Sequence, residues 1–291
     1  MKNVLFATTA LVLTAGVASA EVTFSGTAGA GVVQEGAGAD MRVWSGMDIA
    51  ISATATTDSG MTVSVGDDIG GGELIDWDDD YAVDSQASGT NTEDATTGAS
   101  VNSPAIGTPA VTIVSGGVTI VLDNNEVDHL DSDAVAGDMS VSAAMGDATI
   151  AVVLDVDQSS GTDFSWSLGY SMGQIGLSAS GQDDSSNFGA TYTMGDVVLG
   201  VSTDDDGAGT TTNEVTLDYT AGAMTLGLAA DDQDAWSISV GYTAGAMSAN
   251  FGTNQDSEWD MNASYDLGGG VTARASINEA EFMAAGINFA F

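Results

Sequence analysis

The sequence predicts an all-β fold, a transmembrane antiparallel up-and-down β-barrel of 16–18 strands with short periplasmic turns at one end and longer acidic external loops at the other. Three observations predict it. Apolar residues recur at every second position along most of the chain, glycine-bearing turns alternate with acidic loops, and aromatic residues return at the same ends of successive segments. After residue 20 no run of apolar residues is long enough for a transmembrane helix, so such a chain enters a membrane only as a closed barrel.

The first twenty residues stand apart. Met1-Lys2-Asn3 is a positive start, Val4 to Val17 an apolar stretch, and Ala18-Ser19-Ala20 a small-residue ending. That order describes a secretory signal peptide over residues 1–20. The stretch is short for a bilayer span and is broken by Thr8, Thr9 and Thr14. Residues 21–291 then form a single barrel domain.

Alternation starts at once. Val22, Phe24, Ala28, Ala30 and Val32 share one face, and Thr23, Ser25 and Thr27 the other. Met41, Val43, Met47, Ile49 and Ile51 alternate with Arg42, Asp48 and Ser52. The pattern returns around Val152, Leu168, Leu199, Leu226 and Ala273. Arg42, Asp48, Glu214, Asp218, Glu258, Asp260 and Arg274 all fall on the polar parity, as a barrel with a wet interior requires, because a charge facing hydrocarbon is costly. These seven are the candidate pore wall.

Pairs such as Gly116-Gly117, Gly146-Asp147, Gly173-Gln174, Gly195-Asp196 and Ala244-Gly245 suit tight hairpins. Between them lie acidic connections such as Asp183-Asp184, Asp204-Asp205-Asp206 and Asp231-Asp232. Tyr170, Tyr192, Tyr219, Tyr242 and Tyr265 each sit a few residues before a tight turn, with Phe164, Phe188, Trp236 and Trp259 at the opposite ends of most of these strands. Trp236 to Tyr242 spans six residues, about 20 Å at about 3.3 Å per residue. These nine rings are read as two aromatic belts at the lipid–water boundaries, where amphipathic rings are favoured. A soluble β-sandwich has no reason to repeat a tyrosine at one end of every second strand.

Segment 69–109 is read as one long loop from its polar composition. The charge is extreme. Removing Lys2 with the leader leaves Arg42 and Arg274 against 42 acidic residues, a net charge of −40. Such a surface repels nucleic acid and attracts cations. There are no cysteines, hence no disulfide and no thiol chemistry.

On several segments the chain resembles the general porins of the α-proteobacterial, Rhodobacter-type outer-membrane family. Glu21-Val22-Thr23-Phe24-Ser25-Gly26 looks like their first mature strand, and Thr56-Thr57-Asp58-Ser59-Gly60 like their first periplasmic turn. Ala263-Ser264-Tyr265-Asp266-Leu267-Gly268-Gly269-Gly270 resembles their penultimate hairpin, and Asn288-Phe289-Ala290-Phe291 carries the terminal phenylalanine of outer-membrane barrels. The resemblance implies a homotrimer of sixteen-stranded barrels that passes small hydrophilic solutes and sits among lipid and lipopolysaccharide. It implies that the barrel-assembly machinery reads Phe291. It also implies an inward-folding constriction loop after the fifth strand, here residues 123–137 after Val118 to Leu122. Asp123, Glu126, Asp128, Asp131 and Asp133 are the constriction candidates, and calcium is a candidate ligand at Asp128, Asp131 and Asp133. Two departures stand out: this loop is shorter than the family's, and the family's facing wall of basic residues is reduced to Arg42 and Arg274.

The functional expectation is a passive, cation-preferring diffusion channel without catalytic residues or an obligatory cofactor. His129 is the sole histidine and is read as a solvated loop residue; with no Cys and no second His, a zinc site or a histidine triad has little support. The alternative is a secreted acidic calcium-binding adhesin or surface-layer protein. Heat-modifiable migration separates the two: the barrel, extracted in detergent, should run as a compact band unheated and shift to its unfolded position on boiling, whereas an adhesin should dissolve without detergent.

Overall fold

The computed structural model describes residues 21–77, 83–85, 109–130, 132–156 and 162–291. The expected signal peptide and part of the long loop lie outside them. The strands are β1 (Glu21–Glu35), β2 (Arg42–Thr56), β3 (Thr62–Ile75), the short β4 (Val83–Ser85), β5 (Ala110–Ser115), β6 (Val118–His129), β7 (Ser132–Met145), β8 (Ala148–Leu154), β9 (Phe164–Met172), β10 (Ile175–Gln182), β11 (Ser185–Met194), β12 (Val197–Asp205), β13 (Thr211–Ala221), β14 (Met224–Asp231), β15 (Trp236–Ala244), β16 (Met247–Asn254), β17 (Trp259–Gly268), β18 (Val271–Asn278) and β19 (Phe282–Ala290). Each pairs antiparallel with its neighbours, β3 pairs with β5, and β1 pairs with both β2 and β19. Leaving aside β4, which pairs with β3 alone among the described strands, eighteen strands close on themselves.

Eighteen replaces the sixteen that the family resemblance implied. From β9 to β19 the strands are only 8–11 residues long. That is close to the roughly 9–11 residues a tilted strand needs to cross a bilayer. At about 4.8 Å between strands and about 40° of tilt, the wall is roughly 35 Å across between opposing backbones.

One end of the barrel is built from two-residue turns. Gly146, Gly173, Gly195, Gly222 and Gly245 all have φ of 61–63°, and the residue after each does not have a positive φ. The strand registers place each glycine first in its turn, as in Met172↔Ile175 and Ala244↔Met247. This is the type II′ hairpin turn, whose twist matches the flanking strands. Gly116 and Gly117, at φ 59° and 84°, instead make the two positive φ angles of a type I′ turn. The barrel is sealed at its ends: Gly26 N–H donates to Phe291 O and Phe291 N–H to Gly26 O, both at 3.0 Å, and Phe291 stacks on Phe289 at 5.7 Å.

Two segments read as loops depart from expectation. The long loop does not begin at Ile69, because β3 continues through Ile75 and pairs with β4 beyond it. Gly70, Gly71 and Gly72 and the neighbouring acids hide this strand from composition, yet the backbone ladder to β2 runs on through Gly46↔Gly72. Residues 123–137 are not a separate loop either, since the described ones belong mostly to β6 and β7. Most of them extend β6 and β7, pairing through Val127↔Gly137 and Asp128↔Ala136 after a register shift that follows Leu122. A strand pair that rises beyond the lipid needs no apolar face, so its polar side chains mimic a loop.

Gly245 tests the turn chemistry. A Cβ there would meet nothing within 4 Å, so a substitution acts through φ alone. Gly245→Val should destabilise the barrel by about 1–2 kcal/mol and lower the temperature at which the folded band disappears in heat-modified electrophoresis, with Gly245→Asn intermediate.

Candidate channel lumen

The face a residue occupies follows from strand parity. On β2, Val43 is 74% exposed and Met47 is also exposed, and both share the outer face with Ile49 and Ile51. Arg42, Trp44 and Asp48 occupy the opposite, inner face. On β13, Val215 and Tyr219 are exposed outward, while Glu214 and Asp218 alternate with them inward. By the same parity Asp260 on β17 and Arg274 on β18 face the interior, and Glu258 stands just before β17. Tyr170, Tyr192, Tyr219, Tyr242 and Tyr265 are exposed on the outer face beside the tight turns; Phe164, Phe188 and Trp236 are exposed near the other end, and Trp259 is half-buried.

The interior is not uniform. From β9 to β17 its wall is small and polar. Glycines on one strand meet Ser or Thr hydroxyls on the next, as Gly176 meets Thr191, Gly189 meets Ser178 and Gly227 meets Ser239. Across β19, β1, β2 and β3 the wall is crowded instead. Trp44 is 1% exposed although it lies on the polar parity, and it packs edge-on against Trp77 with ring centroids 6.1 Å apart. Val33, Ile75, Phe282 and Ala284 complete this buried cluster, and Leu74 and Val83 pack against it.

Two glycines make this arrangement possible. Gly72, at φ 81°, turns the chain off the line of β3. Gly46 then accepts the backbone of Glu73 where a Cβ would stand, since the Glu73 nitrogen, carbon and oxygen all lie within 2.6 Å of that position. Glu73 to Trp77 therefore lies on the inner face of β2. Gly29 and Gly286 leave room in the same way for the Trp44 ring.

Charges complete the crowded side. Arg42 holds Glu35 with two parallel bonds, Nε to Oε2 and Nη2 to Oε1, each 2.9 Å, and pairs through Nη1 with Glu73. This wall arginine is thus already matched by two carboxylates. Register places Asp68 diagonally across from Asp48 on the same face.

The expected constriction residues are less concentrated. Asp123 and Asp128 lie on β6 with Glu126, Asp133 lies on β7, and Asp131 is outside the described residues. Among the described residues no three acidic or histidine side chains form a group able to hold a metal ion. His129 is buried rather than solvated. Its Nδ1 is 2.9 Å from Ser165 Oγ, which is itself buried and accepts the Leu130 N–H, so the pair ties the β6 end to β9. Trp44, Glu35, Glu73 and Asp68 were missed as lumen residues by sequence reasoning. A large aromatic on the polar parity between Arg42 and Asp48 was the available signal for Trp44.

Several loop acids have a local task. Asp206 accepts the N–H groups of Ala208 and Thr210, at 2.7 and 2.9 Å. Asp232 accepts the side chain and backbone N–H of Asn213, at 2.7 and 3.0 Å. These bonds favour the charged carboxylates and hold both below the usual aspartate range.

An apolar exterior around a polar-lined closed barrel is the architecture of an outer-membrane channel protein. The sequence profile of the Gram-negative porin family matches residues 7–284, and the chain belongs to that family. A five-site mutant of the Rh. blastica porin is 18% identical, with 93% of this chain and 100% of the other covered and a TM-score of 0.53. A triple mutant of the Rhodopseudomonas blastica porin shows the same identity and coverage at a TM-score of 0.52. No curated protein matches the chain.

The loop acids carry a pH prediction. Their folded-state values lie below the unfolded ones, so their contribution is complete above about pH 4 and is lost as pH falls through the depressed folded values. Carbon-13 titration of Asp206 in detergent micelles should give a midpoint below the ordinary aspartate value of about 4. Asp206→Ala should increase amide exchange at Ala208 and Thr210.

Proposed function

We propose that this porin is a water-filled channel for the passive diffusion of small hydrophilic solutes and ions, that it prefers cations, and that it works as a homotrimer. The observation that carries the reading is the segregation of faces in a closed barrel: apolar and aromatic side chains outside, Asp48, Glu214, Asp218 and Asp260 inside. Acidic side chains along a wet pore raise the local cation concentration and oppose anions. Arg42 does little to offset this, because Glu35 and Glu73 hold it. In this reading residues 1–20 direct export, Phe291 presents the assembly signal, and lipid with lipopolysaccharide surrounds the outer face. The reading assigns the chain no catalytic step. The adhesin alternative gains no support from the fold or the family.

The test is a planar-bilayer recording under a KCl gradient. The wild-type reversal potential should favour potassium, and Asp48→Asn with Asp218→Asn should move it toward zero. A potential favouring chloride overturns the cation preference.

A further inference from the structure

We propose that Trp44 and Trp77 clamp the Glu73–Trp77 segment against the lumen wall as a fixed shelf, and that this shelf narrows the channel and limits the size of what passes. The inference rests on the channel reading above and names the element that narrows the pore.

The argument begins with an energetic conflict. Trp44 sits on the polar parity of β2, where a free indole would face water. It is nevertheless 1% exposed, and Trp77, at 7%, is buried with it. Burying two indoles on the wet side of a barrel needs a cover, and the chain supplies one from the end of β3. Ile75 and Trp77 close over Trp44 from the interior while Val33 and Phe282 flank it from β1 and β19. Apolar burial drives the closure, as in any core, although here the core is built inside a channel.

Three features make the shelf rigid and local. Gly72 bends the chain off the line of β3 at positive φ, and Gly46 lets the Glu73 backbone rest directly on β2. Arg42 then ties Glu73 to Glu35 on β1, so the shelf is fastened by charge at its start and by aromatic contact at its end. The opposite wall, β9 to β17, carries Gly, Ser and Thr with Glu214, Asp218 and Asp260 among them, and holds no large aromatic ring on its inner face among the residues named above. The open path therefore runs along the small-residue wall, and the shelf is the bulky boundary it must pass. Residues 123–137 extend β6 and β7 with register shifts after Leu122 and after Asp128, and His129 near their tip is buried against Ser165 of β9.

Single-channel recordings of purified protein decide the matter. Trp77→Ala removes a ring from the shelf and leaves the barrel wall intact; Trp44→Ala removes its anchor, and Trp77→Phe keeps an aromatic contact. Heat-modifiable migration of each variant reports whether the barrel has formed. Trp77→Ala should raise unit conductance about 1.5-fold or more and should admit larger neutral polyethylene glycols than the wild type. Trp44→Ala should do the same, and Trp77→Phe should stay close to wild type. A folded Trp77→Ala barrel with wild-type conductance and wild-type polymer exclusion overturns the shelf, whatever Trp44→Ala does. Absence of discrete steps in the wild type would instead overturn the channel reading itself.

Discussion

Every feature of this chain answers to one constraint: in hydrocarbon there is no water to satisfy a backbone N–H or C=O, so each must find a partner on a neighbouring strand. An open sheet fails at its two edges, and closure removes them. Here β1 pairs with β19 from Thr27↔Ala290 to Glu35↔Phe282, and the terminal residue adds the reciprocal bonds between Gly26 and Phe291. The two-residue turns serve the same end. A hairpin that reverses in two residues leaves little backbone unpaired, and glycine at its first position supplies the positive φ that the type II′ geometry demands.

Closure also inverts the usual arrangement of side chains. The exposed leucines, valines and tyrosines are the outside of the molecule, and polar groups fill its middle. The buried apolar cluster around Trp44 is then an exception that needs support. Four glycines provide room for it, two carboxylates hold the arginine beside it, and the inward turn at Gly72 brings its cover. From β9 to β17 the interior wall carries glycines beside Ser and Thr hydroxyls, with acids among them, which makes the lumen lopsided. The acids divide in a related way. Some, such as Asp218 and Asp260, alternate into the pore; others, such as Asp206 and Asp232, fasten external loops and hold their charge for local hydrogen bonds.

Much of this was legible in the chain. The alternation on β2 and β13 by itself assigns Arg42, Asp48, Glu214 and Asp218 to one face, because a strand has a side-chain period of two. The glycine turns were legible for the same local reason. What failed to show was anything in which composition and backbone disagree. The glycine-rich end of β3 and the acidic arms of β6 and β7 read as loops because their side chains are polar or missing, although their backbones pair as strands. His129 read as solvated because no local pattern reveals that Ser165, thirty-six residues on, lies against it.

The sequence by itself determined the class of fold, the faces of the strands, the sites of most turns and the sign of the charge, since all of these depend on residues close together in the chain. Only the tertiary structure decided how many strands close the ring, that Arg42 is matched by Glu35 and Glu73, and that Trp44 and Trp77 meet inside it. Those outcomes depend on which distant segments become neighbours. Closure sets that globally, by the need to pair the last edge with the first.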